Sequence, residues 1–420
     1  MTERKEEFQR PKERGGIYPG WVVLAGCFLS AMLIIGGSLY IYQLFVLPVT
    51  AELGITRGEA SYAYIAMLLG IAIWSPILGR LYDHVSVKWL MPIGGLAFAT
   101  GMTTISVLAS PKLMLAAIFF CLGPAMVLAG GLAVNTVTTR WFERRRGRAL
   151  GIAAVSSSAG GFLMTPVTAY LIESFGWRFA LSSIGIAIGI IIVLVGLLVA
   201  KDRPSEAQLK VYSENLASPD ADDGAGAEWT FGKLLASLDF WLVTVGIGLL
   251  LASDQAILTT QNPFLVDIGF STAQAVSVVT AMTGSAILGK LIVGFLAERF
   301  DIRFLYIVVA IFHILLLTIF IIQPGYVAML IFASIFGAAV GGIYPVWSVL
   351  CSRVFGAKNF GLAFGAMALF SQFLAMGFVG YINNSYDKTG DYSTAFSVFI
   401  GAVMLGIVAI IALRLKKAEI

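Results

Sequence analysis

Apolar residues fall in twelve long blocks, at roughly 20–48, 57–79, 89–109, 112–139, 149–172, 178–200, 239–263, 271–297, 304–323, 325–352, 360–384 and 392–414, and a polar stretch at 201–238 separates six from six. About 20 apolar residues carry a helix across a bilayer, and these blocks have that length without the period-two alternation of a lipid-facing strand. Backbone in lipid must satisfy its own hydrogen bonds, so each block predicts a membrane-spanning helix. Pro111, Pro324 and Gly325 stand in the shortest gaps and suit tight reversals between antiparallel helices. The expected fold is an all-α membrane protein with twelve transmembrane helices. Its parts are an N-terminal tail at 1–19, a six-helix bundle at 20–200, a linker at 201–238 with a short helix near Trp229–Leu238, a second six-helix bundle at 239–414, and a tail at 415–420.

Composition agrees with that reading. Charged residues are 12% of the chain and hydrophobic ones 58%, against roughly 25% charged in soluble domains. The placement of charge sets the topology: 23 of the 28 lysines and arginines fall in the tails, the linker and the even-numbered connections, and four in the odd-numbered ones. Under the positive-inside rule this puts both termini in the cytoplasm of a cell bounded by an inner (plasma) membrane. Segment 1–18 has bases and acids but no apolar centre or small-residue cleavage site, so it reads as a solvated tail rather than a signal peptide.

Cys27, Cys121 and Cys351 are odd in number and lie in apolar runs, and His84 and His313 are too few and too far apart for a metal site. No cofactor or metal is expected. No nucleophile–base set or phosphate loop occurs in a polar segment, which argues against an enzyme. The basic residues flank membrane spans, where they meet lipid headgroups rather than nucleic acid. The chain is expected to act as a monomer.

The two halves repeat. The loop after span 2 has Gly79, Asp83 and Lys88, and the loop after span 8 has Gly294, Glu298 and Arg303, each residue near 215 positions from its counterpart. Arg140-Trp-Phe142 and Arg353-Val-Phe355 follow spans 4 and 10 at an offset of 213. Two parallel six-helix pseudo-repeats are the arrangement of major facilitator transporters, and the glycine–acid–base loop resembles the signature of that superfamily. The resemblance implies the major facilitator fold, with the two loops as gates that hold the halves together at the cytoplasmic side in one state. His84 and Ser86 stand where the family usually has a base and a glycine.

Further runs resemble the monocarboxylate transporter branch and bacterial relatives near the oxalate–formate antiporters. They are Tyr18-Pro-Gly-Trp21, Arg140-Trp-Phe-Glu-Arg-Arg-Arg-Gly147-Arg-Ala-Leu-Gly151, Phe175-Gly-Trp-Arg178 and Tyr386-Asp-Lys-Thr-Gly-Asp-Tyr392. In order and placement they extend over nearly the whole chain outside the linker.

Charge inside a span is costly and marks a functional candidate. Lys290, in span 8, stands four residues before Gly294, where the branch has an arginine that pairs with the substrate carboxylate; Ala286 stands where the branch often has an aspartate. Lysine offers a point charge rather than a planar fork. Asp254, in span 7, is the proton-coupling candidate, and whether it pairs with Lys290 or hydrogen-bonds locally stays open, as does snorkelling of Lys290 toward the interface. Resemblance to the superfamily makes spans 1, 4, 7 and 10 cavity-lining. It therefore nominates Tyr42 and Gln43, Asn135, Tyr344 and Trp347 as substrate contacts beside Lys290, with Tyr40, Gln255 and Asn262 among the wider set.

These readings favour a secondary transporter of a small organic anion, a monocarboxylate in the first instance, working by alternating access with or without a proton. Efflux of an amphipathic compound is the main alternative, against which the glycine–proline signature of antiporters is not intact in span 5, where Gly160-Gly161 is followed by Thr165-Pro166. A non-transporting membrane sensor is the third.

Overall fold

The computed structural model describes residues 18–142, 146–203, 229–297, 299–356 and 359–413, with backbone alone at Asp83 and 146–148. Twelve helices long and apolar enough to span a membrane make up almost all of it. They are α1 Pro19–Leu53, α2 Arg57–Gly79, α3 Val87–Val107, α4 Pro111–Trp141, α5 Ala149–Phe175, α6 Trp177–Leu198, α7 Leu238–Asp267, α8 Thr272–Leu296, α9 Ile302–Ile322, α10 Tyr326–Phe355, α11 Phe360–Thr389 and α12 Ser393–Ala412. Large apolar side chains such as Val107, Leu198, Leu238 and Val327 are exposed around the outside, as lipid requires. The short helix expected ahead of span 7 is present as Phe231–Ala236, with Leu234 buried beneath it. The linker from 204 to 228 lies outside the described residues.

The 215-residue repeat extends into the helix caps. Thr56 caps α2 and Ser271 caps α8, each in a reciprocal box with a residue three positions on, Glu59 and Gln274. Ser86 and Asp301 cap α3 and α9, accepting from the backbone N–H of Lys88 and Arg303. Gly54 and Gly269, both at positive φ, follow the ends of α1 and α7. The second sequence repeat closes on the first in space: Arg140 donates to the carbonyl of Tyr82 at 2.6 Å, and Arg353 to the carbonyl of Ala297 at 3.0 Å. Each half thus pins the loop after its second helix to the end of its fourth. Asp301 lies outside the membrane-spanning segments, and its hydrogen bond from the Arg303 guanidinium holds its carboxyl below the usual range.

Two helix pairs form the seams between the halves, α2 with α11 and α5 with α8. We call the end of the molecule that carries the odd-numbered connections the odd end, and the other the even end. Two helices are not regular. α1 has a π-turn at Gly36–Tyr40 and α4 one at Ile118–Leu122, just before Gly123-Pro124. Such turns shift the register of the faces on either side and recur at functional sites. α10 is interrupted at Gly341-Gly342, just before Tyr344-Pro345. The irregularities beside Pro124 and Pro345 are local changes of winding, and α1 has one that no proline announces.

Candidate functional site

Charged and hydroxyl groups meet at mid-depth between the halves. The π-turn of α1 presents Tyr40, and Gly160 and Gly161 of α5 make room for it. A Cβ on Gly160 would strike the backbone of Met32, and one on Gly161 would strike the Tyr40 ring. The Tyr40 hydroxyl consequently sits beside Ser157 and Ser158 of α5. Across the seam, Lys290 of α8 donates to the carbonyl of Ala154 at 2.9 Å and to the Ser157 hydroxyl at 2.5 Å. It is 8% exposed, so the ammonium is held against the opposite half and does not reach for the interface.

Asp254 faces the same space from α7. Among the described residues its carboxylate has no hydrogen bond, and no direct ion pair joins it to Lys290. The two charges lie within electrostatic reach of one another, and so do the carboxylate and the phenols of Tyr40, Tyr64 and Tyr344. A lone carboxylate and a cation held by neutral oxygens are both left able to engage a further charged or protonated group.

The other nominated residues divide. Tyr344 is 42% exposed and belongs with this group; Asn135 on α4 is also exposed. Gln43 is fully buried, and its side-chain oxygen accepts the backbone N–H of Asn262 at 2.9 Å, tying α1 to α7 one residue before Pro263. Tyr42 donates to the carbonyl of Ala60 at 2.9 Å and packs against Tyr64, inside the first half. Trp347 is buried in the second half, stacked on Phe364 at 4.2 Å. Gln255 pairs with Tyr64 across the halves.

Of the loop residues, Glu298 and the side chain of Asp83 lie outside the described residues. A Cβ on Gly79 would meet only Leu132, at 3.7 Å, and one on Gly294 would meet nothing. The described bonds of Arg303 run to Asp301 and to the carbonyl of Leu413, within its own half. Closure between the halves lies at the opposite end. There Arg57, entering α2, forms a two-pronged pair with Asp267 at the end of α7, donates to the Tyr392 hydroxyl at 2.6 Å, and packs its guanidinium over the Tyr386 ring at 4.0 Å. The backbone N–H groups of Arg57 and Gly58 both donate to the Asp387 carboxylate.

Sequence reasoning missed Ser157, Tyr64, Arg57 and Asp267. A usable signal existed for the first, because Ser156-Ser157-Ser158 is a polar run inside an apolar span next to a glycine pair. Arg57 and Asp267 looked like ordinary loop charges, and only the fold brings them together.

The relatives agree with this architecture. Monocarboxylate transporter 12 of Rattus norvegicus is 23% identical over 437 residues, covering 96% of this chain and 87% of that one. Among solved structures, the nucleoside transporter NupG superposes with a TM-score of 0.72 at 18% identity, covering 96% of this chain and 100% of that chain. A bacterial homologue of the human lysosomal transporter Spinster, inward-facing and unoccupied, gives 0.64 at 15% identity, covering 96% and 95%. The profile of the Major Facilitator Superfamily matches residues 27–380. With twelve spanning helices in matched halves and a charged centre between them, this chain belongs to the Major Facilitator Superfamily of transporters.

Proposed function

We propose that the protein is a secondary transporter of a small organic anion, a monocarboxylate first among the candidates, that works by alternating access of the Lys290–Asp254 site. The observation that carries this reading is Lys290: a buried cation at the seam, bonded only to neutral oxygens of the opposite half among the described residues. A substrate carboxylate offers the ammonium an opposite charge where Ala154 and Ser157 offer only neutral oxygens, and so the stronger bond. Substrate would then compete with the contact that joins α8 to α5, so that binding loosens one seam as it fills the site. Asp254 is the acceptor for a coupled proton. The halves 20–200 and 239–414 are the moving bodies, and the charge distribution supports both termini and the even end on the cytoplasmic side of the inner membrane. The resemblance to monocarboxylate transporter 12 at 23% identity favours the substrate class and leaves the individual acid open.

The test is uptake of radiolabelled carboxylates into proteoliposomes. Lys290→Ala is expected to lose saturable uptake while keeping its melting temperature; unchanged carboxylate uptake by that variant would sink the reading. One observation favours a second reading, efflux of an amphipathic cation: a carboxylate without an ion-pair partner among the described residues, within electrostatic reach of three phenols, also suits a positive ligand. Resistance to a panel of cationic compounds, lost on Asp254→Asn and kept on Lys290→Ala, would decide for it.

A further inference from the structure

A cavity of about 720 Å³ lies inside the first half, away from the Lys290–Asp254 site. Its walls come from α1, α2, α3, α4 and α6, and they are almost wholly apolar: Phe45, Val49, Met67, Ile105 and Leu181 are representative. Glu59, Ser110 and Lys112 stand at the rim, at the odd end, and Tyr62 on the cavity wall is also exposed at the outer face of α2. The volume falls in the range of about 300–1,000 Å³ typical of small-molecule sites.

The repeat explains why the cavity exists. The 215-residue offset, which relates the caps of the first three helices of each half, pairs Val49, Ile105 and Leu181 with Phe264, Phe320 and Phe396. Those three rings fill the equivalent space in the second half, with centroids 5.2, 5.3 and 5.6 Å apart. All three are essentially unexposed. The same framework is therefore filled at these positions by three rings in one half and left hollow there in the other. An apolar space of this size left without apolar contents is costly, because its walls forgo contact with partner atoms. The membrane offers an occupant to any such space that opens to its face.

We propose that this cavity is a phospholipid site: an acyl chain enters past Tyr62 and fills the space between α1, α2 and α4, and the phosphate rests at Lys112. Lys112 is exposed, sits on the first turn of α4 and has no ion-pair partner among the described residues. The site also has a route to the centre. Gly37, Ser38 and Ile41 line the cavity, and they belong to or adjoin the π-turn that presents Tyr40 on its other side. A chain in the cavity braces that turn from behind.

Native mass spectrometry of the purified protein in detergent with added dioleoyl phosphatidylcholine tests this. The wild type is expected to retain one lipid under activation that strips loosely held lipid. The combined variant V49F, I105F and L181F, which copies the second half, is expected to lose that lipid by about tenfold, or 1.4 kcal/mol, with its melting temperature maintained. Lys112→Ala, outside the core, is expected to weaken retention about fivefold. Failure of the wild type to retain a lipid, or equal retention by the folded triple variant, would overturn the proposal. If the triple variant does not fold, Ile105→Phe alone and Lys112→Ala take its place, and wild-type retention by both overturns it equally.

Discussion

Arg57 and Asp267 join the two halves at the odd end, with one arm of the two-pronged pair at 2.8 Å and the guanidinium also bonded to Tyr392. By the repeat, Asp267 corresponds to Glu52, which instead accepts from Arg178 at 2.8 Å inside the first half. The two carboxylates hold equivalent places and have opposite uses, since one ties a half to itself and the other ties it to its neighbour. Arg57→Ala should therefore weaken closure at the odd end and leave each half intact. A partly exposed pair of this kind contributes on the order of 1 kcal/mol, a roughly fivefold shift between conformations. The measurement is labelling of Thr260→Cys, at a position buried below the pair, by an impermeant maleimide with the native cysteines replaced. Labelling is expected to rise about fivefold, and an unchanged rate would count against a gate at this place.

On the proposed reading, substrate competes with Ser157 for Lys290. Removing its hydroxyl leaves the ammonium with the Ala154 carbonyl alone. Hydrogen bonds to a charged group are worth about 1.5–3 kcal/mol, part of which substrate must displace. Ser157→Ala is therefore expected to lower the KM for carboxylate uptake by about fivefold, with Lys290→Ala inactive in the same assay. A KM that rises would mean that Ser157 binds substrate directly.

Asp254 has no hydrogen-bond or ion-pair partner among the described residues and lies within electrostatic reach of Lys290. Asp254→Asn keeps the shape and removes the carboxylate proposed to accept the coupled proton. The expected result is loss of pH-driven accumulation with retention of counterflow exchange of the same acid, measured in one set of proteoliposomes. Loss of both in equal measure would make Asp254 a binding residue without a coupling role.

Gly289 of α8 lies against the backbone of α10, and a Cβ there would overlap the Ala338 carbonyl. The obstacle is main chain and cannot rotate away. Gly289→Ala is expected to destabilise the detergent-solubilised protein by about 1–3 kcal/mol, the cost of forcing extra volume into a packed contact. Gly294→Ala, five residues on in open space, is the control and should melt as the wild type does.

Much of this molecule was legible beforehand because lipid imposes a strong and local rule. A span must be apolar and long, and a base prefers one side, so residue types alone located twelve helices and paired Gly79 with Gly294 and Arg140 with Arg353. Lys290 and Asp254 stood out for the same reason, since charge is rare in an apolar run. Trp347 was the harder case. An aromatic on a cavity-lining span faces either the cavity or its own bundle, and sequence spacing does not say which; stacking on Phe364 settles it. Gln43 was equally ambiguous, because a polar side chain in a span can face substrate or join helices, and here it joins α1 to α7.

The amino-acid sequence by itself determined the number of spans, their division into related halves and the two intramembrane charges, because each follows from the cost of placing polar groups in lipid. Only the tertiary structure decided how those charges are used. Lys290 is held by α5, Asp254 has no ion-pair partner among the described residues, the π-turn brings Tyr40 beside Ser157 and Ser158, and Arg57 pairs with Asp267 at the odd end. These relations depend on which helix faces cross at which depth. That is set by glycine contacts and local winding spread over distant segments, and no single stretch of sequence contains it.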